Sequence, residues 1–335
     1  MSSDEFKNQI WNLKFALVTG AMFLALWSPV RAQQPKRYRI GYLSALSRSA
    51  ESFRIDGFLQ GLRDLGYAED KGCGIEYRFA DGQYDRLPQF ASELVSLKMD
   101  VIVTTGPTST RAAKAATRTI PIVMAFDNDP VGNSFVASLA QPGGNITGLS
   151  TYYPEISGKQ LELLKEIVPN LSQVVVFGNS TVPGNAQALR EIQRTATASG
   201  TDFKYVEVRD LKNVETAFRE ATKTPAAGAV VLTSPITNSY QQQIVTLAVK
   251  SRIPAVYATA EWVNAGGLLT YGANLVDLWR RAATYVDKIL KGAKPADLPV
   301  EQPKKFEFII NLKAAKQIGL TIPPNVLARA DRVIR

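Results

Sequence analysis

The sequence predicts an α/β protein of two Rossmann-like lobes with parallel sheets, joined by a multi-strand hinge. Three observations predict it. Short apolar runs alternate with amphipathic helical segments, which is the pattern of βαβ units. The alternation restarts after the break Pro142-Gly143-Gly144-Asn145. The chain then continues well past the second set, to Arg335, far enough to cross back and complete a lobe.

The first 32 residues read as a secretory signal. Lys7 and Lys14 lie in a polar start, residues 15–27 form an uncharged apolar run, and Pro29 precedes Val30-Arg31-Ala32 at the expected cleavage point. The run is shorter than the roughly 20 residues a membrane span needs, and no cysteine stands at the cleavage point for a lipid anchor. Export to a bacterial periplasm is the expectation, with residues 33–335 as the mature chain. That length suits two domains.

The elements follow in order. Residues 39–43 read as a strand and 44–49 as a polar loop. Residues 53–65 form a helix with Phe53, Phe58, Leu62 and Leu65 on one face and Gly66 as its stop. Strands are expected at 74–78, 101–104 and 121–126, and helices at 87–97 and 110–118, with a loop at 105–108. After the break, helices are expected at 158–167, 186–198, 214–222 and 241–249, and strands at 173–177, 203–209, 229–232 and 255–257. A glycine-rich stretch at 266–272, a long helix at 275–290, a strand at 306–310 and two terminal helices complete the chain. The lobes are expected to comprise residues 33–146 plus 273–303, and 147–272 plus 304–335.

Composition excludes several classes of function. The net charge is +9, but basic and acidic residues are interspersed, as in Lys159 to Glu162, so no nucleic-acid face is expected. The chain has no histidine, which removes the commonest metal ligand and general base. Cys73 is the single cysteine and has no histidine to activate it. After the first strand stands Gly41-Tyr42-Leu43-Ser44 rather than a dinucleotide fingerprint, and there is neither a phosphate-binding GxxxxGK motif nor a GxSxG elbow. No cofactor, metal or catalytic residue is expected.

In open parallel sheets, ligands sit beyond the carboxyl ends of the strands. The residues there are Ser44, Ser47, Thr105, Gly106, Thr108, Asn128, Asp129, Asn179, Ser180, Ser234, Thr259 and Glu261. They are mostly hydroxyls and amides, with two carboxylates. Hydroxyls and helix-start N–H groups can hold a carboxylate, and Asp129 or Glu261 an ammonium, so the set suits a zwitterion or small polar solute. Each is also a natural cap or turn former. Tyr42, Phe126, Tyr257, Trp262 and Tyr271 are candidates for a stacking wall or for core.

Several stretches carry a resemblance: 75–78 (IEYR), 84–88 (YDRLP), Asp129-Pro130-Val131, 142–150 (PGGNITGLS), 266–272 (GGLLTYG) and 292–303 (GAKPADLPVEQP). In this order they are specific, and over residues 39–334 the chain resembles the ABC transporter substrate-binding proteins of the tryptophan-type group. Gly72-Cys73 departs from the Asn-Val usual there, away from the expected cleft. The resemblance implies the type I periplasmic binding protein fold, with a solute enclosed between hinged lobes. It places Ser44, Thr105 to Thr108 and Asp129 on the first wall, and Asn179, Ser234 and Glu261 on the second. It further implies a monomer that delivers to a membrane ABC permease with its ATPase, with an aromatic amino acid as a lead. A sensory module signalling to a membrane receptor would have the same soluble chain. An enzyme lacks its motifs here, and a repressor would need a DNA-binding helix-turn-helix where the signal-like segment stands.

Overall fold

Residues 37–67, 72–151 and 155–335 are described by the computed structural model, and the segment expected to be a signal, 1–32, lies outside them. The first sheet forms where apolar runs are too short for helices and, in its inner strands, buried along most of their length. β1 (Tyr38–Ser44) leads to α1 (Ser52–Asp64), β2 (Cys73–Phe79), α2 (Leu87–Ser96), β3 (Val101–Thr105), α3 (Pro107–Ala116), β4 (Ile122–Phe126) and β5 (Ile146–Gly148). The strands lie in the order β2-β1-β3-β4-β5, all parallel. Every residue of β3 is buried, as in a sheet covered on both faces.

The second lobe continues with α4 (Glu155–Ile167), β6 (Gln173–Gly178), α5 (Pro183–Ala198), β7 (Asp202–Glu207), α6 (Leu211–Ala221) and β8 (Ala227–Val231). Then come α7 (Pro235–Ser239), α8 (Gln241–Lys250), β9 (Ala255–Tyr257), α9 (Ala260–Asn264) and β10 (Leu269–Ala273). The chain closes with α10 (Leu275–Leu290), β11 (Phe306–Asn311), α11 (Leu312–Ile318), α12 (Pro324–Leu327) and β12 (Arg332–Ile334). The second sheet runs β12-β11-β10-β9-β8-β6-β7.

One pair departs from the expected parallel sheets. β11 is antiparallel to β10, with Ala273 opposite Phe306. β10 ends where the chain leaves for the first lobe, and β11 begins where it returns, so the two must run in opposite directions. The boundary expected at 146/147 falls inside β5, because Thr147 and Gly148 still pair with Val123 and Met124.

The chain passes between the sheets three times: after β5, at Ala273 to Leu275, and from Glu301 to Phe306. These segments bond to one another. Ser150 N–H donates to the Glu301 carbonyl (2.9 Å), Glu301 N–H to that of Gly148 (3.1 Å), and Asn274 N–H to that of Lys305 (3.0 Å). The hinge is therefore a laced ribbon whose middle strand is the last crossing.

α10 returns to the first lobe and packs on α1. Gly57 and Gly61 make this approach possible, since a Cβ on Gly61 would lie 2.4 Å from the Arg280 carbonyl oxygen. Trp279 is fully buried among Tyr42, Phe58 and Val123. The apolar face of α1 is Ile55, Phe58 and Leu62; Phe53, expected on that face, is exposed, and Arg54 is turned inward instead. The spacing explains this: Ile55, Phe58 and Leu62 lie three and four residues apart, whereas Phe53 falls on the opposite side. Among the described residues, no helix is long and apolar enough to cross a membrane.

Candidate functional site

A cavity of about 470 Å³ lies between the carboxyl ends of the two sheets, walled by both lobes and by the hinge. The first lobe contributes Leu46 and Ala50 from the loop after β1, Arg54 from α1, Tyr84, the turn Thr105-Gly106-Pro107-Thr108, and Phe126 and Asn128. The second contributes Ser157 and Gln160 of α4, Gly184, Asn185 and Ala188 of α5, Thr233 and Ser234 after β8, and Thr259, Glu261 and Trp262 after β9. Gly272, Ala273 and Leu275 form the floor at the second crossing.

Helix starts face this space. α3 begins at Pro107 and α5 at Pro183, each three residues before the start expected from the apolar pattern. Proline at the first helical position, where its missing N–H costs nothing, was the available signal. Among the described residues no side chain caps either start, so their first-turn N–H groups are donors for an anion, except that of Asn185, which donates to the Val182 carbonyl (3.0 Å). Gly106 has φ +95°, and a Cβ there would also sit 3.0 Å from the Phe126 ring. By contrast, Asp210, Asn274 and Asn311 cap α6, α10 and α11 with their side chains.

The aromatic wall has Phe126 and Tyr84 from the first lobe and Trp262 from the second. Phe126 packs on Trp279 with ring centroids 5.2 Å apart, and Trp262 stacks on Tyr257 at 5.0 Å. Tyr257, Tyr42 and Tyr271 are not on the cavity surface. Tyr42 is buried in a hydrogen-bond chain, and Tyr271 lies against Phe306 and Phe308.

One cluster carries the charge. Arg54 donates through Nη1 to Glu51 (3.1 Å) and through Nη2 to Glu261 (2.5 Å). Burial drives the Glu261 carboxyl upward, but the Arg54 guanidinium outweighs it and holds the group below the usual carboxylate range. Two carboxylates against one guanidinium leave a formal negative charge on this cluster, in which Glu51 is fully buried while Arg54 and Glu261 line the cavity.

A family model described as ABC transporter substrate binding protein matches residues 39–334. The chain belongs to this family. It is 27% identical over 296 residues to a tyrosine-binding protein of Clostridioides difficile, covering 87% of this chain and 83% of that protein. Among solved structures, a conserved domain protein from Vibrio cholerae is 30% identical with a TM-score of 0.80, covering 89% of this chain and all of that one. An ABC domain from Streptococcus pneumoniae solved in complex with L-Trp is 27% identical, also with a TM-score of 0.80 and the same coverage. The two laced sheets are thus the type I periplasmic binding protein fold.

Of the residues singled out from the sequence, this substrate-binding protein brings Thr105, Gly106, Thr108, Asn128, Ser234, Thr259 and Glu261 to the cavity wall. Five others do not line the cavity and are held by bonds within the protein. Ser44 is fully buried behind the wall, where its Oγ accepts from Thr105 (2.9 Å) and from Leu46 N–H (3.0 Å). Ser47 Oγ accepts from Ala50 N–H (3.2 Å). Asp129 accepts from Gly132 N–H (2.8 Å), Asn179 from Thr181 N–H (2.9 Å), and Ser180 N–H donates to Glu207 (3.1 Å). Those of Asp129 and Asn179 are turn bonds, so the cap-and-turn reading accounts for these two residues, whereas Ser180 is tied to the neighbouring strand's Glu207. Ser234 does both: it lines the cavity and closes a capping box with Thr237.

The sequence reading missed Arg54, Gln160 and Asn185. Each lies inside a helix rather than after a strand. Gln160 is 2% exposed and donates to the Tyr271 carbonyl (2.7 Å), tying α4 to β10 under the cavity. The available signal was a polar residue breaking an otherwise apolar helix face.

Proposed function

We propose that this chain is the periplasmic component of an ABC importer and encloses a small amino acid, with an aromatic side chain as the lead, by closing its two lobes. The observation that carries the reading is the cavity's polarity. Glu261 and Arg54, backed by the buried Glu51, line the same cavity as the uncapped start of α3, with Phe126 and Trp262 on its wall. An ammonium group fits the acidic end, a carboxylate the N–H groups beside Thr108, and a flat ring the aromatic wall. Thr105, Gly106, Asn128, Ser234 and Thr259 complete the proposed contacts. The tyrosine-binding relative and the neighbour solved with L-Trp support the same class.

Solute that touches both lobes favours the closed form only through contacts the open form lacks. Moving from 1:99 to 99:1 takes about 5.5 kcal/mol of such difference. Delivery to a permease with its ATPase is part of the proposal and is supported by family membership.

The test is a thermal-shift and calorimetric series. L-tryptophan, L-tyrosine or L-phenylalanine should raise the melting temperature, by the equivalent of about 2.7 kcal/mol at a hundred times Kd. Indole-3-propionate, which lacks the ammonium, should bind at least about tenfold more weakly than L-tryptophan, a difference of 1.4 kcal/mol. If none of the three amino acids shifts the transition, the amino-acid reading falls.

Closure also has a gauge. Gly184 of α5 meets the loop after β4, and a Cβ on it would lie 3.4 Å from the Asn128 carbonyl oxygen. Gly184→Phe should therefore prop the lobes apart, with melting unchanged and affinity for the bound amino acid lowered by about tenfold or more. Unchanged affinity in this variant would show that the lobes do not need to approach there.

A further inference from the structure

Arg54 belongs to the first lobe and Glu261 to the second, and they meet on the wall of the cavity. The first lobe fixes the guanidinium from behind. Trp279 Nε1–H donates to Tyr42 Oη (2.8 Å), Tyr42 O–H donates to Glu51 (2.7 Å), and Glu51 accepts from Arg54 Nη1. The guanidinium also lies over the Trp279 ring, 5.1 Å from its centroid. Arg54 is 8% exposed, so very little of this arrangement is open to solvent.

Only half of the contact between the lobes is made. A guanidinium edge presents Nε and Nη2 together, and a carboxylate can accept from both. Here Nη2 reaches one oxygen of Glu261, while Arg54 Nε and the other Glu261 oxygen, Oε2, are both buried without a well-formed hydrogen bond among the described residues. These are the two atoms that would complete the fork. The Thr259 hydroxyl and the backbone N–H of Glu261 also stabilise the carboxylate, but Arg54 Nε has no acceptor, and a small approach of α9 toward α1 would pair it with Oε2.

We propose that Arg54 and Glu261 form a closure clasp: an ion pair made between the lobes as they shut, whose second hydrogen bond, from Nε to Oε2, forms when closure is complete. The clasp is a contact of the closed form and so raises its population with or without solute. Removing one partner penalises the closed form twice, by losing the bond and by burying the remaining charge unpaired. It acts in the empty protein, so its test is independent of the amino-acid proposal.

Single-molecule energy transfer tests it on the full chain without solute. One dye is placed on each lobe at the exposed positions Gln89→Cys and Glu215→Cys; the native Cys73 is buried. The unmodified clasp should give a resolvable closed population, and Glu261→Gln should lower that population by about tenfold. Arg54→Lys, which keeps the charge but not the fork, should fall between the two. The double variant Arg54→Gln/Glu261→Gln should open no further than the worse single variant. Should Arg54→Gln fail to fold, with Glu51 left unpaired, Glu261→Gln alone decides. A missing closed population in the parent chain, or one unchanged by Glu261→Gln, would overturn the clasp.

Discussion

Gly272→Ala is expected to cost about 3 kcal/mol or more and to abolish solute-induced stabilisation, because two backbones meet there with no room for a methyl group. A Cβ on Gly272 would fall 1.8 Å from the Ala258 carbonyl oxygen. No rotamer relieves that overlap, so β10 would have to move away from β9. β10 is pinned on its other side by β11, where Gly272 pairs with Glu307. Overpacking in a tight site costs about 1–3 kcal/mol when side chains can adjust, and here only backbone can move. Gly272 also forms the cavity floor next to the second crossing, so the displacement reaches the hinge. At about 2–4 °C per kcal/mol for a domain of this size, the melting temperature should fall by roughly 10 °C. Gly144→Ala is the control, since nothing lies within 4 Å of a Cβ built there. A Gly272→Ala protein that melts with the parent and still responds to solute would refute the account.

The second large effect is a pH dependence at Asp127. This residue is fully buried at the end of β4, beside the first crossing. Its Oδ1 accepts from Asn133 Nδ2 and from Asp129 N–H (both 2.9 Å), and its carbonyl accepts from Thr151 N–H (2.7 Å). Oδ2 is buried without a partner among the described residues. Burial is the main cause that lifts its pKa from 3.8 to about 7; the Asn133 and Asp129 hydrogen bonds oppose it, Asp129 adds a little repulsion, and Arg111 offsets part of that. Because the folded pKa is raised, the group's favourable contribution is full below about pH 4 and lost as pH rises through 7. From this residue alone, the protein should be about 2–3 kcal/mol more stable at about pH 5 than at about pH 8. Asp127→Asn keeps the Oδ1 bonds and removes the charge. It should raise stability at the higher pH, change little at the lower one, and flatten the difference. Urea titrations of both proteins at the two pH values test this, and a parent and variant with the same pH slope would remove Asp127 as the cause.

Much of the fold was legible because its signals are local. The runs at β1, β3 and β4 are apolar and β-branched, the break at Pro142 to Asn145 is unmistakable, and α10 shows its apolar stripe plainly. The antiparallel β11 was not legible, since its direction depends on which lobe the chain last visited. The cavity wall was legible where a residue follows a strand, as at Thr108, Asn128 and Glu261. Asp129 and Asn179 were expected there too, but their short side chains fold back on their own loops. Arg54 gave no sign in the sequence, because an inward-facing arginine on an apolar helix becomes intelligible only once Glu51 and Trp279 are seen beside it.

The laced hinge has a consequence for how the chain assembles as it emerges from its N-terminus. The core of the first lobe needs Trp279 and the rest of α10, which lie beyond the whole of the second lobe's first five strands. The second sheet in turn needs β11 and β12, which come last. Neither lobe can seal until nearly all of the polypeptide is available, so both should consolidate together and late. Such an order keeps the nascent chain open until its synthesis is nearly complete.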